Sequence, residues 1–118
     1  MKKFIIYLFH VLVVFITMSF ANAAEINPEL SAKIAEFEKA SKCSFIKTSG
    51  VRSVEHNKKV GGVSRSYHLT GDAYDLVPKC DTSLKKLGKI AAKIFNGVIV
   101  YKSHIHVDVR VEVFHKGF

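Results

Sequence analysis

The chain has 118 residues, a formal charge of +8 and 48% hydrophobic residues, with two cysteines and no tryptophan. That length holds one small domain and excludes a multidomain assembly, and the apolar content excludes a disordered chain. The positive charge favours an acidic polymer such as a cell-wall component or an anionic headgroup. The lysines are scattered rather than interleaved with aromatics, which argues against a nucleic-acid partner.

The first stretch reads as a leader. Lys2 and Lys3 precede an apolar run from Phe4 to Phe20, and Ala21-Asn22-Ala23 places small residues where a signal peptidase inspects the chain. The run is short for a transmembrane span. The expected layout is a signal peptide over 1–23 and a single domain over 24–118. The mature protein would then be periplasmic or secreted, monomeric and free of the membrane. Cys43 and Cys80 both lie in the mature part. In an oxidising compartment they can pair and close a long loop; the alternative is two separate buried thiols.

Asn27-Pro28 is a helix start, with Asn27 as N-cap and Pro28 at the first helical position. Leu30, Ile34 and Phe37 follow at helical spacing, so a helix is predicted to end near Lys42. Cys43 to Thr48 is predicted as a strand, broken at Ser49-Gly50. Val51 to Arg65 reads as a long polar loop with Gly61-Gly62 inside it, and structureless loops of that length usually serve a site. Ala73 to Val77 is predicted as a strand stopped by Pro78. Asp81 is predicted to cap a second helix with Leu84, Leu87, Ala91 and Ile94 inward, ended by Asn96-Gly97. Gly97 to Tyr101 is a further strand, followed by a turn at Lys102-Ser103. His104 to Val113 alternates with period two. Ile105, Val107, Val109, Val111 and Val113 fall on one face, and His104, His106, Asp108, Arg110 and Glu112 on the other. The pattern predicts an α+β domain with a small, mainly antiparallel sheet packed with two helices.

The chemistry concentrates in Ser66 to Asp75 and in the His104-Ile105-His106 pair. His68 and Asp75 are good zinc donors, and Gly71 between them lets the backbone turn so that both face one point. A third ligand must come from His104 or His106, which project to the same side of a strand. Three protein ligands leave a coordination position open, the catalytic arrangement, and free the remaining histidine for proton transfer. His56 and His115 have no such company and read as ordinary histidines.

Ser66-x-His68-x-x-Gly71-x-Ala73-x-Asp75 with His104-x-His106-Val107-Asp108 resembles the zinc D-Ala-D-Ala carboxypeptidase family, in its small single-domain form. The similarity extends over Ser49 to Ser53, Gly61-Gly62 and Gly97 to Arg110. The resemblance implies a DD-peptidase/hedgehog-like fold and one zinc ion on His68, Asp75 and His106. It also implies His104 as catalytic residue and Arg52 over the substrate, and peptidoglycan stem peptide as substrate. Sibling subgroups carry a carboxylate just upstream of the last ligand, where this chain has Ser103 and His104. A dipeptidase activity is therefore not implied. Asp108 is a candidate to orient a ligand imidazole or to pair with Arg110. Ser66 is a candidate to hold the turn rather than a nucleophile. The expected activity is carboxypeptidase. A cross-link endopeptidase and a non-catalytic wall-binding module with structural zinc are the alternatives.

Overall fold

A computed structural model describes residues 25–51, 53–62 and 66–118. The segment predicted as a leader, 1–23, and Arg52 lie outside them. Among the described residues, three α-helices, a 3-10 turn and five strands run in the order α1 (Pro28–Ser41), β1 (Phe45–Ser49), α2 (Val54–Lys59), the 3-10 turn (Tyr67–Thr70), β2 (Ala73–Pro78), α3 (Leu84–Ala91), β3 (Gly97–Val100), β4 (Ile105–Asp108) and β5 (Phe114–Lys116). The strands form one sheet in the order β1-β2-β4-β3-β5, antiparallel except where β5 joins β3. The expected α+β class holds. Among the described residues no helix is long and apolar enough to cross a membrane.

Helix α1 starts as its sequence dictates. The Asn27 side chain accepts the Glu29 N–H at 2.9 Å, and Pro28 opens the first turn. Leu30, Ile34 and Phe37 are buried to 1% exposure or less, and the helix stops at Lys42 in a left-handed conformation. Phe37 stacks on Phe45 at 4.6 Å and meets Phe95 edge-on at 5.9 Å. With Leu87 and Ala91 of α3 and with Leu76, Val98, Ile105 and Val107 of the sheet they make one core. Because strand side chains alternate, the neighbours of these sheet residues (Asp75, His106 and Asp108) point away from the helices. The helices thus stabilise one face and leave the other for chemistry.

Four readings needed correction. The strand predicted over His104–Val113 ends at Asp108, and Val111 and Val113 are 93% and 68% exposed. Past Asp108, side chains take the backbone groups that a ladder would use. Asp108 Oδ1 accepts the Arg110 N–H at 3.1 Å, and Asn96 Nδ2 donates to the carbonyls of Arg110 at 2.9 Å and Val111 at 3.1 Å. The loop predicted over 51–65 contains α2, capped by Ser53, whose Oγ accepts the His56 N–H at 3.1 Å, with Glu55 in its first turn and Lys58 and Lys59 in its last. Five polar residues after Val54 offer no apolar period to detect. Ser83, not Asp81, caps α3, its Oγ accepting the Lys86 N–H at 3.2 Å. Asn96-Gly97 does not end that helix; the chain leaves it after Ala91, and Gly97 begins β3.

Cys43 and Cys80 form a disulfide, with Cα atoms 5.5 Å apart and a separation of 37 in sequence. It ties the start of β1 to the end of β2, on the side of the domain that carries α1. Closing a loop of that length removes roughly 3–4 kcal/mol of unfolded-state entropy. The double variant Cys43→Ala/Cys80→Ala is therefore expected to melt roughly 15–25 °C lower by circular dichroism. A shift of a degree or two would show that the cross-link contributes nothing to stability.

Candidate metal centre

Two side chains of the centre are cross-strand neighbours. Asp75 on β2 lies opposite His106 on β4 in the antiparallel register, on the face away from the helices. The third, His68, comes from the 3-10 turn. Ser66 Oγ accepts the His68 N–H at 3.2 Å to start that turn, and Gly71 ends it at φ +76°. A Cβ on Gly71 would also collide with the Glu25 carbonyl, so this position needs glycine twice over. Ser66 therefore caps the turn. The turn lets residues seven apart converge.

The outward nitrogens of the two imidazoles are hydrogen-bonded away from the centre. His68 Nδ1 donates to the Gly50 carbonyl at 2.8 Å, and His106 Nε2 donates to Asp108 Oδ2 at 2.8 Å. In the neutral rings this leaves lone pairs on His68 Nε2 and His106 Nδ1. These two atoms and Asp75 Oδ1 sit 3.2 Å from one another along all three edges. A tetrahedral zinc with bonds of about 2.0–2.1 Å spaces its ligands about 3.3 Å apart, so the triangle fits one face of that polyhedron. Two imidazoles and one carboxylate also suit zinc better than calcium or magnesium, which prefer oxygen shells. His68, Asp75 and His106 are all buried and form a group able to hold a metal ion.

The electrostatics follow from the same contacts. Burial by itself would raise the Asp75 pKa, but hydrogen bonds and charge from His106 and His68 hold its carboxyl well below the usual range. Burial pushes His106 down, yet the bonds to Asp108 and Asp75 outweigh it and raise its pKa above 6.5. A proton and a metal ion thus compete for the same His106 lone pair. Asp108 is fully buried, and burial raises its pKa too. The hydrogen bonds from Arg110 and His106 prevail and keep it ionised.

Asp108 makes both contacts at once: it accepts from His106 and also pairs with Arg110, whose Nε donates to Oδ1 at 2.7 Å. The carboxylate fits because Gly97 lies across from it on β3, where any Cβ would collide with it. His104 stands beside the triangle rather than in it. Its Nε2 is 4.0 Å from Asp75 Oδ1, its Nδ1 meets Ser103 Oγ at 2.9 Å, and the Tyr101 ring stacks on it at 4.6 Å. His68, Asp75, His104 and His106 all border an open groove of about 480 Å³, whose rim includes Gly61 and Gly62. His115 bonds the Phe95 carbonyl at 3.1 Å, away from the centre.

Sequence reasoning missed three contributors. The Gly50 carbonyl acts through the main chain and carries no side-chain signal. Tyr101 gave no sign of stacking on His104 across the turn. The pairing of Arg110 with Asp108 was visible as an i, i+2 charge pair on the polar face of β4. Its placement between the rings of Tyr67 and Phe114, at 4.7 and 4.9 Å, was not.

No curated protein matches the chain. A family model described as Peptidase M15 matches residues 10–108, a span that takes in every residue of the triangle as well as His104 and Asp108. Members of that family are zinc-dependent peptidases of peptidoglycan, which is the chemistry that a three-ligand, open-sided histidine–carboxylate centre supports. The chain belongs to the Peptidase M15 family of zinc metallopeptidases.

Proposed function

We propose that this chain is an exported D-Ala-D-Ala carboxypeptidase that trims peptidoglycan stem peptides with one zinc ion held by His68, Asp75 and His106. The observation that carries the reading is the position of His104, on the groove beside the ligand triangle and free of it. Bound there, zinc supplies Lewis acidity, lowering the pKa of a water and polarising the scissile carbonyl. His104 Nε2 takes the proton of the attacking water and delivers it to the leaving amine. The Ser103 hydroxyl can donate to Nδ1 or accept from it, so it supports the ring in both protonation states. Tyr101 restrains the ring from one face. Arg52 is assigned to the terminal carboxylate of the substrate, a pairing suited to a guanidinium.

Export is supported by the Lys2-Lys3 start, the apolar run and Ala21-Asn22-Ala23. The Cys43–Cys80 disulfide is at home in a periplasmic or extracellular setting. The deciding experiment is digestion of defined muropeptides by the mature protein, followed by mass spectrometry, with and without a chelator. Loss of a terminal alanine that stops with chelation and returns with zinc is the expected result. Conversion of cross-linked dimers to monomers would make the enzyme an endopeptidase instead. Intact substrate beside tightly bound zinc would leave only a wall-binding module.

A further inference from the structure

A fully buried carboxylate such as Asp108 is costly unless its oxygens are bonded. Oδ2 takes the His106 Nε2–H. Oδ1 takes the Arg110 backbone N–H and Nε–H, and Arg110 Nη2 closes on Oδ2. The guanidinium thus grips the carboxylate with two parallel bonds, the geometry that fixes a carboxylate plane as well as neutralising it. The guanidinium is held in turn. Its central carbon lies 4.7 Å from the Tyr67 ring and 4.9 Å from the Phe114 ring. Tyr67 belongs to the turn that carries His68, and Phe114 belongs to β5 at the sheet edge. One side chain therefore connects the turn bearing the first ligand, the carboxylate behind the last ligand and the edge strand.

We propose that Arg110 is a positioning residue of the metal centre, holding the Asp108 carboxylate plane against His106 Nε2 and tying the His68 turn to β4 through the Tyr67 ring. The proposal rests on His68, Asp75 and His106 being the zinc set. If Arg110 only neutralised a buried charge, lysine would serve equally. Lysine keeps the charge but has neither the fork nor the flat face that stacks between two rings.

The test measures zinc affinity by competition with a chromogenic chelator, and the visible absorption spectrum of the cobalt-loaded protein, which reports ligand geometry. Arg110→Lys is expected to weaken zinc binding about tenfold, the low end for disturbing Asp108, the outer-sphere partner of a ligand histidine. It should also alter the cobalt spectrum. Phe114→Ala, at a half-exposed edge position, is expected to produce the same changes to a smaller degree. Ile34→Val in α1, on the opposite face of the sheet, serves as the control that lowers the melting temperature and moves neither readout. Parent-like affinity and spectrum in Arg110→Lys would overturn the proposal while the parent's own binding upheld the zinc set. Should Arg110→Lys fail to fold, Phe114→Ala decides, and a parent-like result there overturns the proposal. A parent protein that binds no zinc, or a His106→Ala variant that binds it equally well, would overturn the zinc set and this proposal with it.

Discussion

His106→Ala is expected to weaken zinc binding by about 10²–10³-fold and to abolish peptidase activity at ordinary zinc concentrations. The estimate divides the roughly 10–16 kcal/mol of a structural four-ligand zinc site among its ligands and converts one share to a ratio. The variant is expected to fold. Asp108 keeps the Nε and backbone bonds from Arg110 when the imidazole is gone, so no bare charge is left in the interior. Chelator competition and circular dichroism on the same sample check both halves of the expectation. An unfolded variant would mean that His106 serves the fold as much as the ion. Unchanged zinc affinity would mean that the third ligand lies elsewhere.

His104→Ala separates chemistry from binding. Its Nε2 is 4.0 Å from Asp75 Oδ1, and its ring is restrained by Ser103 and Tyr101 rather than by the ligand set. Removing it is expected to lower kcat by about 10²–10⁴-fold, the usual worth of a positioned general acid–base. Zinc affinity should stay within about threefold of the parent, because none of the three ligand contacts changes. Loss of zinc with loss of activity would make His104 a ligand. Full activity would leave the proton transfer to another group. Since the two histidines sit two residues apart on one strand end, the pair of variants shows whether the sequence division of labour between them is correct.

Much of this centre could be read from residue order. His68 and Asp75 flank a glycine that does adopt a left-handed conformation, and the period-two alternation puts His106 and Asp108 on one side of β4. Asn27-Pro28 starts α1 where local capping chemistry says it should. In each case neighbours in sequence suffice to read the feature, although the Glu25 carbonyl adds a tertiary demand for glycine at 71. The failures share the opposite property. The valine alternation persists to Val113, but the strand stops at Asp108 because Asn96, distant in sequence, captures the carbonyls of Arg110 and Val111. Gly97 resembles a helix stop, yet its tertiary role is to make room for the Asp108 carboxylate. Helix α2 is too short and polar to show a period, and its Ser53 cap alone does not single it out. Arg52, assigned from resemblance, lies outside the described residues.

The two imidazoles differ in what stands behind them. His68 leans on the carbonyl of Gly50, whereas His106 leans on a charged carboxylate. A neutral backing group leaves an imidazole an ordinary donor, while an anionic one shifts electron density toward the ring and makes it the stronger base. A zinc ion bound there would therefore be held unequally, less firmly from the turn than from the sheet. The two sides also differ in how they can be altered. A main-chain carbonyl offers no side chain to exchange, and any side chain added at Gly50 would collide with the Tyr74 ring, so the His68 side cannot be tuned by simple substitution. The His106 side depends on an aspartate and can be graded by exchanging it, which makes Asp108 the position from which the acidity of the whole centre can be adjusted.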